Sequence, residues 1–224
     1  MTGIVGILLA AGRGQRFGSD KRLQALADGT VMALAAGRKL AAVCQRTIVV
    51  VRPDDMAMTR LLSEAGLESV VCANAAQGMG HSLAAGVAAS EDAAGWLVAL
   101  ADMPYIQATS YGAVLHAMQS GAGLARAFYG GRPGHPVGFA AEHRQALLAL
   151  TGDQGGKAIL EAHPAMLVPC QVDDPGVLHD IDRPGQIWLP KGADQATEAA
   201  GRGVLGYDSS IAQEHENEPK PLDR

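Results

Sequence analysis

Between residues 9 and 21 the chain reads LAAGRGQRFGSDK. Glycines at 12, 14 and 18 let the backbone turn sharply and bring N–H groups close to a ligand, which suits phosphate oxygens. Arg13, Arg16 and Lys21 add three cations to the same loop. A helix N-terminus supplies only about +0.5 charge, adequate for a diphosphate bridge. Three further cations match something more anionic, such as a nucleoside triphosphate. The spacing GxGxxxG is not the GxGxxG of a dinucleotide-binding fingerprint, and the loop ends Gly18-Ser19-Asp20-Lys21, not in the GKS or GKT of a Walker loop. The plain alternative is a glycine-rich turn with solvated cations.

Other residues fit the chemistry of phosphates. Asp102 directly follows an apolar run and precedes Met103-Pro104, which places a carboxylate at the end of a strand. Mg²⁺ prefers oxygen ligands and commonly takes only one or two carboxylates from a protein. An Asp that simply starts a turn is the competing reading. Asp180 and Asp182 flank Ile181, so in extended chain both carboxylates share a face. One could be a second metal ligand and the other a cap for the segment at Pro184. His135, between Gly134 and Pro136, could bind an acceptor phosphate or handle a proton, against the reading of a strand-end histidine. Lys157, on a glycine-flanked junction, is a second acceptor-phosphate candidate, although most lysines are solvated surface groups. His81 reads as structural, Ser82 and Ser110 have no triad context, and the seven histidines show no HExxH spacing.

These residues need elements to hold them. Short apolar runs at residues 3–10, 47–51, 67–72 and 96–101 alternate with helix-period segments at 31–43, 54–65, 79–89 and 108–120. Strands apolar on both faces, separated by helices, predict a mostly parallel sheet covered on both sides: a three-layer, Rossmann-like α/β domain. In such sheets ligands bind beyond the carboxyl ends of the strands, where both the glycine-rich loop and Asp102 fall. Residues 124–129 and 136–140 read as strands separated by a GGRPGH turn, followed by helices near 142–150 and 155–162, a strand at 165–170 and a last helix near 184–189. Beyond Leu189 the periodicity stops. Residues 1–189 are therefore expected to form the domain, and the polar, proline-containing stretch 190–224 a disordered tail.

Composition excludes several classes. The net charge is −5 with no basic run, which argues against a nucleic-acid partner. No apolar stretch reaches the ~18 residues of a membrane span, and no secretory signal follows Met1. Cys44, Cys72 and Cys170 stand singly, which reads as buried thiols in a reducing cytoplasm.

The first loop matches the nucleotidyltransferase pattern LAAGxGxRxGxxK at every fixed position, and the chain resembles the MobA/MocA-type nucleotidyltransferases, which attach a nucleotide to the terminal phosphate of molybdopterin. NAAQGMGHSLAAG (residues 74–86), ALADMPYI (99–106), GRPGHPVGF (131–139), LTGDQGGKAIL (150–160) and DIDRP (180–184) are similar to later family motifs, in the same order. The resemblance implies an NTP held by Leu9, Ala10, Ala11, Gly12, Gly14, Lys21, Asn74, Gly78, Met79 and Ser82. It also implies catalytic roles for Arg16, Lys21 and Asp102, and Mg²⁺ (or Mn²⁺) on Asp102 with Asp182 in a metal-proximal or capping role. The Gly-His-Pro and Gly-Asp-x-Gly-Gly-Lys motifs, with Ala10-Ala11-Gly12, resemble the cytidylyl branch, so CTP is the implied nucleotide and molybdopterin the acceptor. A molybdoenzyme or its chaperone would then be a protein partner. A guanylyltransferase, a sugar-phosphate nucleotidyltransferase and a non-catalytic cofactor carrier are the alternatives.

Overall fold

The computed structural model describes residues 2–12 and 20–187. Among them a seven-stranded sheet runs in the order β3-β2-β1-β4-β6-β5-β7. The strands are β1 (Thr2–Leu9), β2 (Thr47–Val51), β3 (Glu68–Val71), β4 (Ala93–Leu100), β5 (Leu124–Tyr129), β6 (Arg132–Ala140) and β7 (Leu167–Gln171). The helices are α1 (Met32–Ala41), α2 (Met56–Glu64), α3 (Met79–Ala88), α4 (Ala108–Gln119), α5 (Arg144–Leu148) and α6 (Lys157–Ala162). β1 pairs parallel with β2 and β4, β2 with β3, and β5 with β7; β6 alone runs antiparallel, against β4 and β5. The Rossmann-like, mostly parallel sheet expected from the sequence is the one observed.

Side-chain alternation explains the layers. In β2 all five residues are buried, yet they serve different cores. Val49 and Val51 join Leu8, Leu34, Met58, Leu62 and Val114 on one face. Ile48 and Val50 join Val5, Ile7, Leu83, Val87 and Ile159 on the other. Helices α1, α2 and α4 therefore cover one side, and α3, α5 and α6 the other. A strand that is apolar at every position is what a two-faced parallel sheet requires.

Register sets the working edge. Leu9 lies level with Val50 and with Leu100, and Val51 with Val71. The chain leaving β1 at Ala10, β2 at Arg52, β3 at Cys72 and β4 at Ala101 thus emerges at one end of the sheet. The antiparallel β6 begins at that same end.

Several boundaries differ from the sequence expectation; β4, for one, starts at Ala93 and not at residue 96. β6 starts at Arg132, not at residue 136, because Gly130 and Gly131 (φ 56° and 75°) complete a hairpin turn in two residues. Pro133 discouraged a strand there, since proline cannot donate to a ladder. Pairing with β4 begins only at Val137, opposite Val98, so Pro133 does not interrupt that ladder. The expected last helix is a 3₁₀ turn, Pro184–Gln186, and the remainder of that expectation, with the tail, lies outside the described residues.

Asp174 ties the C-terminal segment to the sheet. Only 3% exposed, it accepts from the backbone N–H of Gln107 (2.8 Å), the hydroxyl of Ser110 (2.7 Å) and the backbone N–H of Gly176 (2.9 Å). It thereby joins the start of α4 to the turn Pro175–Leu178. Asp174→Ala strands these donors, and an unsatisfied buried polar group costs about 1–3 kcal/mol. Urea unfolding of the variant should therefore show a loss of at least roughly 3 kcal/mol; a loss within error would mean that the three donors find other acceptors.

Candidate active site

Lys21 is the centre of the site. The chain returns at Asp20 and forms a 3₁₀ turn, Lys21–Leu23, whose N-cap is Asp20. The Lys21 ammonium donates to Asp102 Oδ2 at 2.8 Å, Asp182 Oδ1 at 3.0 Å and the carbonyl oxygen of Ile181 at 3.0 Å. Burial alone would lower the pKa of Lys21; Asp102 and Asp182 more than offset this, and the net shift is upward. The ammonium stays charged.

The two carboxylates are held by backbone as well. Ile181 is fully buried against Met32 and donates its N–H to the carbonyl of Asp102 at 2.9 Å. Asp180 is exposed, so the Asp-Ile-Asp segment sends Asp182, not both carboxylates, to the site. At the turn that follows, the side-chain oxygen of Gln186 accepts from the N–H groups of Asp182 and Arg183, both at 2.7 Å. Two carboxylate oxygens and a carbonyl around one cation form a hard donor set, which suits Mg²⁺ or Mn²⁺. Among the described residues no cluster of three or more His, Cys, Asp or Glu side chains exists.

A second ionic group braces the stems of the glycine-rich loop. The Arg22 side chain is 2% exposed. It donates to the Ala10 carbonyl and to Asp20, and lies 2.6 Å from Asp55 Oδ2. Asp55 is the N-cap residue of α2 yet makes no side-chain capping bond; its carboxylate faces Arg22. Arg52 donates to Asp20 Oδ2 at 2.6 Å and to the Gly12 carbonyl at 3.4 Å. Burial would raise the Asp20 carboxyl, but Arg22 and Arg52 more than offset this and hold it below the usual range. The loop thus leaves β1 and returns at Asp20 with both ends tied to the same guanidiniums. Arg22, Arg52, Asp20 and Asp55 were invisible as a group in the sequence. Their only signal was an excess of charge beside strand ends.

The other sequence candidates fall along the same edge of the sheet. Ala10 and Ala11 are buried, Leu9 is half-buried and Gly12 is exposed; Gly14 and Arg16 lie outside the described residues. Asn74 is exposed beyond β3, Met79 is exposed at the start of α3, and Ser82 is buried. Gly78 has φ 125°, and a Cβ there would sit 2.3 Å from the carbonyl group of Gly152, while Gly80 donates its N–H to Gly152 at 2.8 Å. The two glycine motifs are therefore bolted together through backbone, and no larger residue fits at 78. His135 stands at the ligand end of β6, where burial, then the charge of Arg126, lowers its pKa to about 4 against an opposing hydrogen bond with the Val98 backbone. It is neutral at pH 7. Lys157 opens α6 with a largely exposed side chain and pairs with Glu161 at 3.5 Å. The structure brings Lys21, Asp102 and Asp182 into contact and shows no such contact for His135 or Lys157.

Residues 6–167 match the family model of the MobA-like NTP transferase domain. The chain belongs to this family. Membership assigns it nucleotidyltransferase activity in general terms. It is 29% identical over 194 residues to nicotine blue oxidoreductase of Paenarthrobacter nicotinovorans, covering 83% of this chain and 95% of that one. In fold it is similar to Rv0371c from Mycobacterium tuberculosis H37Rv (TM-score 0.72, 23% identity, 83% of this chain and 96% of that chain), a protein also solved as a complex with manganese. It is similar too to molybdopterin-guanine dinucleotide biosynthesis protein A from Archaeoglobus fulgidus (TM-score 0.56, 17% identity, 89% of this chain and all of that one). No helix among the described residues is long and apolar enough to cross a membrane.

Two outcomes follow from this geometry. Arg22→Met leaves the Asp55 carboxylate, 4% exposed, without its nearest cation. Breaking a buried ion pair in this way costs about 3–5 kcal/mol, so urea unfolding should show a loss on that scale; a loss under about 1 kcal/mol would place the pair in solvent. His135 has a folded pKa depressed below its ordinary 6.5, so the unfolded chain takes up the proton first. Its contribution to stability is intact above about 6.5 and is lost as pH falls toward about 4. Thermal midpoints measured across that window should fall more steeply for wild type than for His135→Gln, and parallel slopes would refute the assignment.

Proposed function

We propose that the protein moves a nucleoside monophosphate from an NTP, by preference CTP, to the terminal phosphate of molybdopterin and releases pyrophosphate. The observation that carries this reading is the meeting of Lys21, Asp102 and Asp182 at the ligand edge of the sheet. An acceptor phosphate oxygen attacks the α-phosphorus, a new P–O–P bond forms, the α–β anhydride bond breaks and pyrophosphate leaves. Two polyanions repel one another, so the site must supply cations and alignment more than a covalent nucleophile.

In this reading the loop from Leu9 through Gly14 wraps the nucleotide with its backbone N–H groups, and Arg16 and Lys21 meet the triphosphate. Asn74, Gly78, Met79 and Ser82 hold the nucleotide from the α3 side. Asp102 and Asp182 are the residues that would hold Mg²⁺ or Mn²⁺, which when bound neutralises developing phosphate charge; the manganese complex of Rv0371c supports a divalent ion in this fold. His135, neutral, and Lys157 serve the acceptor. Preference for CTP rests on the Gly-His-Pro motif and on Ala10-Ala11-Gly12, and residues 1–189 form the catalytic domain, with the product passed to a molybdoenzyme or its chaperone. A second reading, an oxidoreductase acting on a substrate such as nicotine blue, rests on the likeness to nicotine blue oxidoreductase.

The deciding experiment measures pyrophosphate release with each of four NTPs, with and without molybdopterin, beside a test for redox conversion of nicotine blue. Release that needs molybdopterin and is fastest with CTP is expected. Lys21→Ala should lower kcat/KM by roughly one to three decades, since a unit charge pair at about 4 Å is worth roughly 4 kcal/mol before desolvation. Asp102→Asn should lower kcat by roughly two to four decades while the fold persists. Wild-type turnover in either variant would remove that residue from the site.

A further inference from the structure

Lys21 is claimed by two partners. Its three ammonium hydrogens have three acceptors at 2.8–3.0 Å: Asp102, Asp182 and the Ile181 carbonyl. That exhausts its donor capacity. Its side chain is 10% exposed, while the carboxylates of Asp102 and Asp182 are 25% and 41% exposed, so the ammonium is enclosed and its partners stay open to an incoming ion. The carboxylates that hold it are the ones assigned above to a divalent ion, and the ammonium is the one assigned to the triphosphate. One ammonium cannot donate all three hydrogens to this pair and also bind phosphate. Nor can a divalent ion take Asp102 Oδ2 and Asp182 Oδ1 while the ammonium stays on both, because the two cations repel.

We propose that Lys21 is the resident counter-ion of the metal site and couples its two ligands. Without phosphate, its ammonium competes with a divalent ion for Asp102 and Asp182. A triphosphate draws the ammonium onto its own oxygens and so frees the carboxylates for the ion. Linkage makes this reciprocal: the ion, by expelling the ammonium from the pair, readies it for phosphate. The two carboxylates thereby always have a cation against them, Lys21 without nucleotide and the ion with it, and metal binding is favoured by nucleotide. This inference rests on the transferase reading for the identity of the two ligands.

The test uses Mn²⁺ alone, with no nucleotide, and reads its binding by calorimetry and by the electron paramagnetic resonance of the free ion. Lys21→Met should bind Mn²⁺ at least tenfold more tightly than wild type, and Lys21→Met with Asp102→Asn should lose that gain. Equal or weaker binding in Lys21→Met, or no binding in either protein, overturns the proposal. Because Lys21→Met leaves two carboxylates facing one another and can fail to fold, a second measurement uses the wild-type chain with ¹⁵N-labelled lysine side chains. The Lys21 ammonium signal, slowed in exchange by its three bonds, should disappear as Mg²⁺ saturates the protein. Mg²⁺ binding seen by calorimetry while that signal persists overturns the coupling. Pyrophosphate release by wild type beside an unaltered Mn²⁺ affinity in Lys21→Met sinks the coupling alone, whereas tighter Mn²⁺ binding without any pyrophosphate release sinks the transferase reading and leaves the competition standing.

Discussion

A lysine ammonium at a site with little solvent must find oxygen acceptors or lose its proton. Lys21 finds three, and each comes from a different stretch of chain than its own. Meeting this one requirement dictates much else. β4 must end where β1 ends, so that Asp102 reaches the residues that follow the glycine-rich loop. The segment around Ile181 must return across the sheet from the far end of the sequence. Ile181, fully buried and bonded to the Asp102 backbone, secures that return, and Asp174 anchors the chain just upstream.

Around this contact the fold uses rigid connections where a ligand loop would otherwise be loose. A glycine-rich loop gains close approach to phosphate from its lack of side chains and gives up conformational order for the same reason. The brace of Arg22, Arg52, Asp20 and Asp55 answers that by fixing both stems. Guanidinium suits this task because its planar fork can serve a carbonyl and two carboxylates at once. On the α3 side the fixing is done by backbone: Gly78 and Gly80 lie against Thr151 and Gly152 so closely that no Cβ could intervene. One flank is charged and the other glycine-packed.

Much of this was legible in the sequence, and for identifiable reasons. The run TIVVV had to be a strand buried on both faces, because five β-branched residues, four of them apolar, suit no other place so well; it is β2, with its apolar side chains split between two cores. Lys21 and Asp102 were named as candidates because loops after strands in a parallel sheet share an edge, and Asp182 because of the Asp-Ile-Asp pattern and the family resemblance. What misled was local. Pro133 read as turn, and only the register of β4, which starts pairing at Val137, makes room for it in a strand.

The sequence by itself determined the fold class and the position of the ligand edge, since both follow from hydrophobic period and from glycine at fixed spacing, which are local properties of the chain. The partners of charged groups were decided by tertiary structure alone. Asp180 and Asp182 are chemically the same residue two places apart, yet one is exposed and the other holds Lys21. Arg22 differs from a solvated arginine only in what the fold sets around it: the Ala10 carbonyl, Asp20 and Asp55. Charge acts through space over a few ångströms, between residues far apart along the chain, and no pattern of neighbours in sequence encodes that distance.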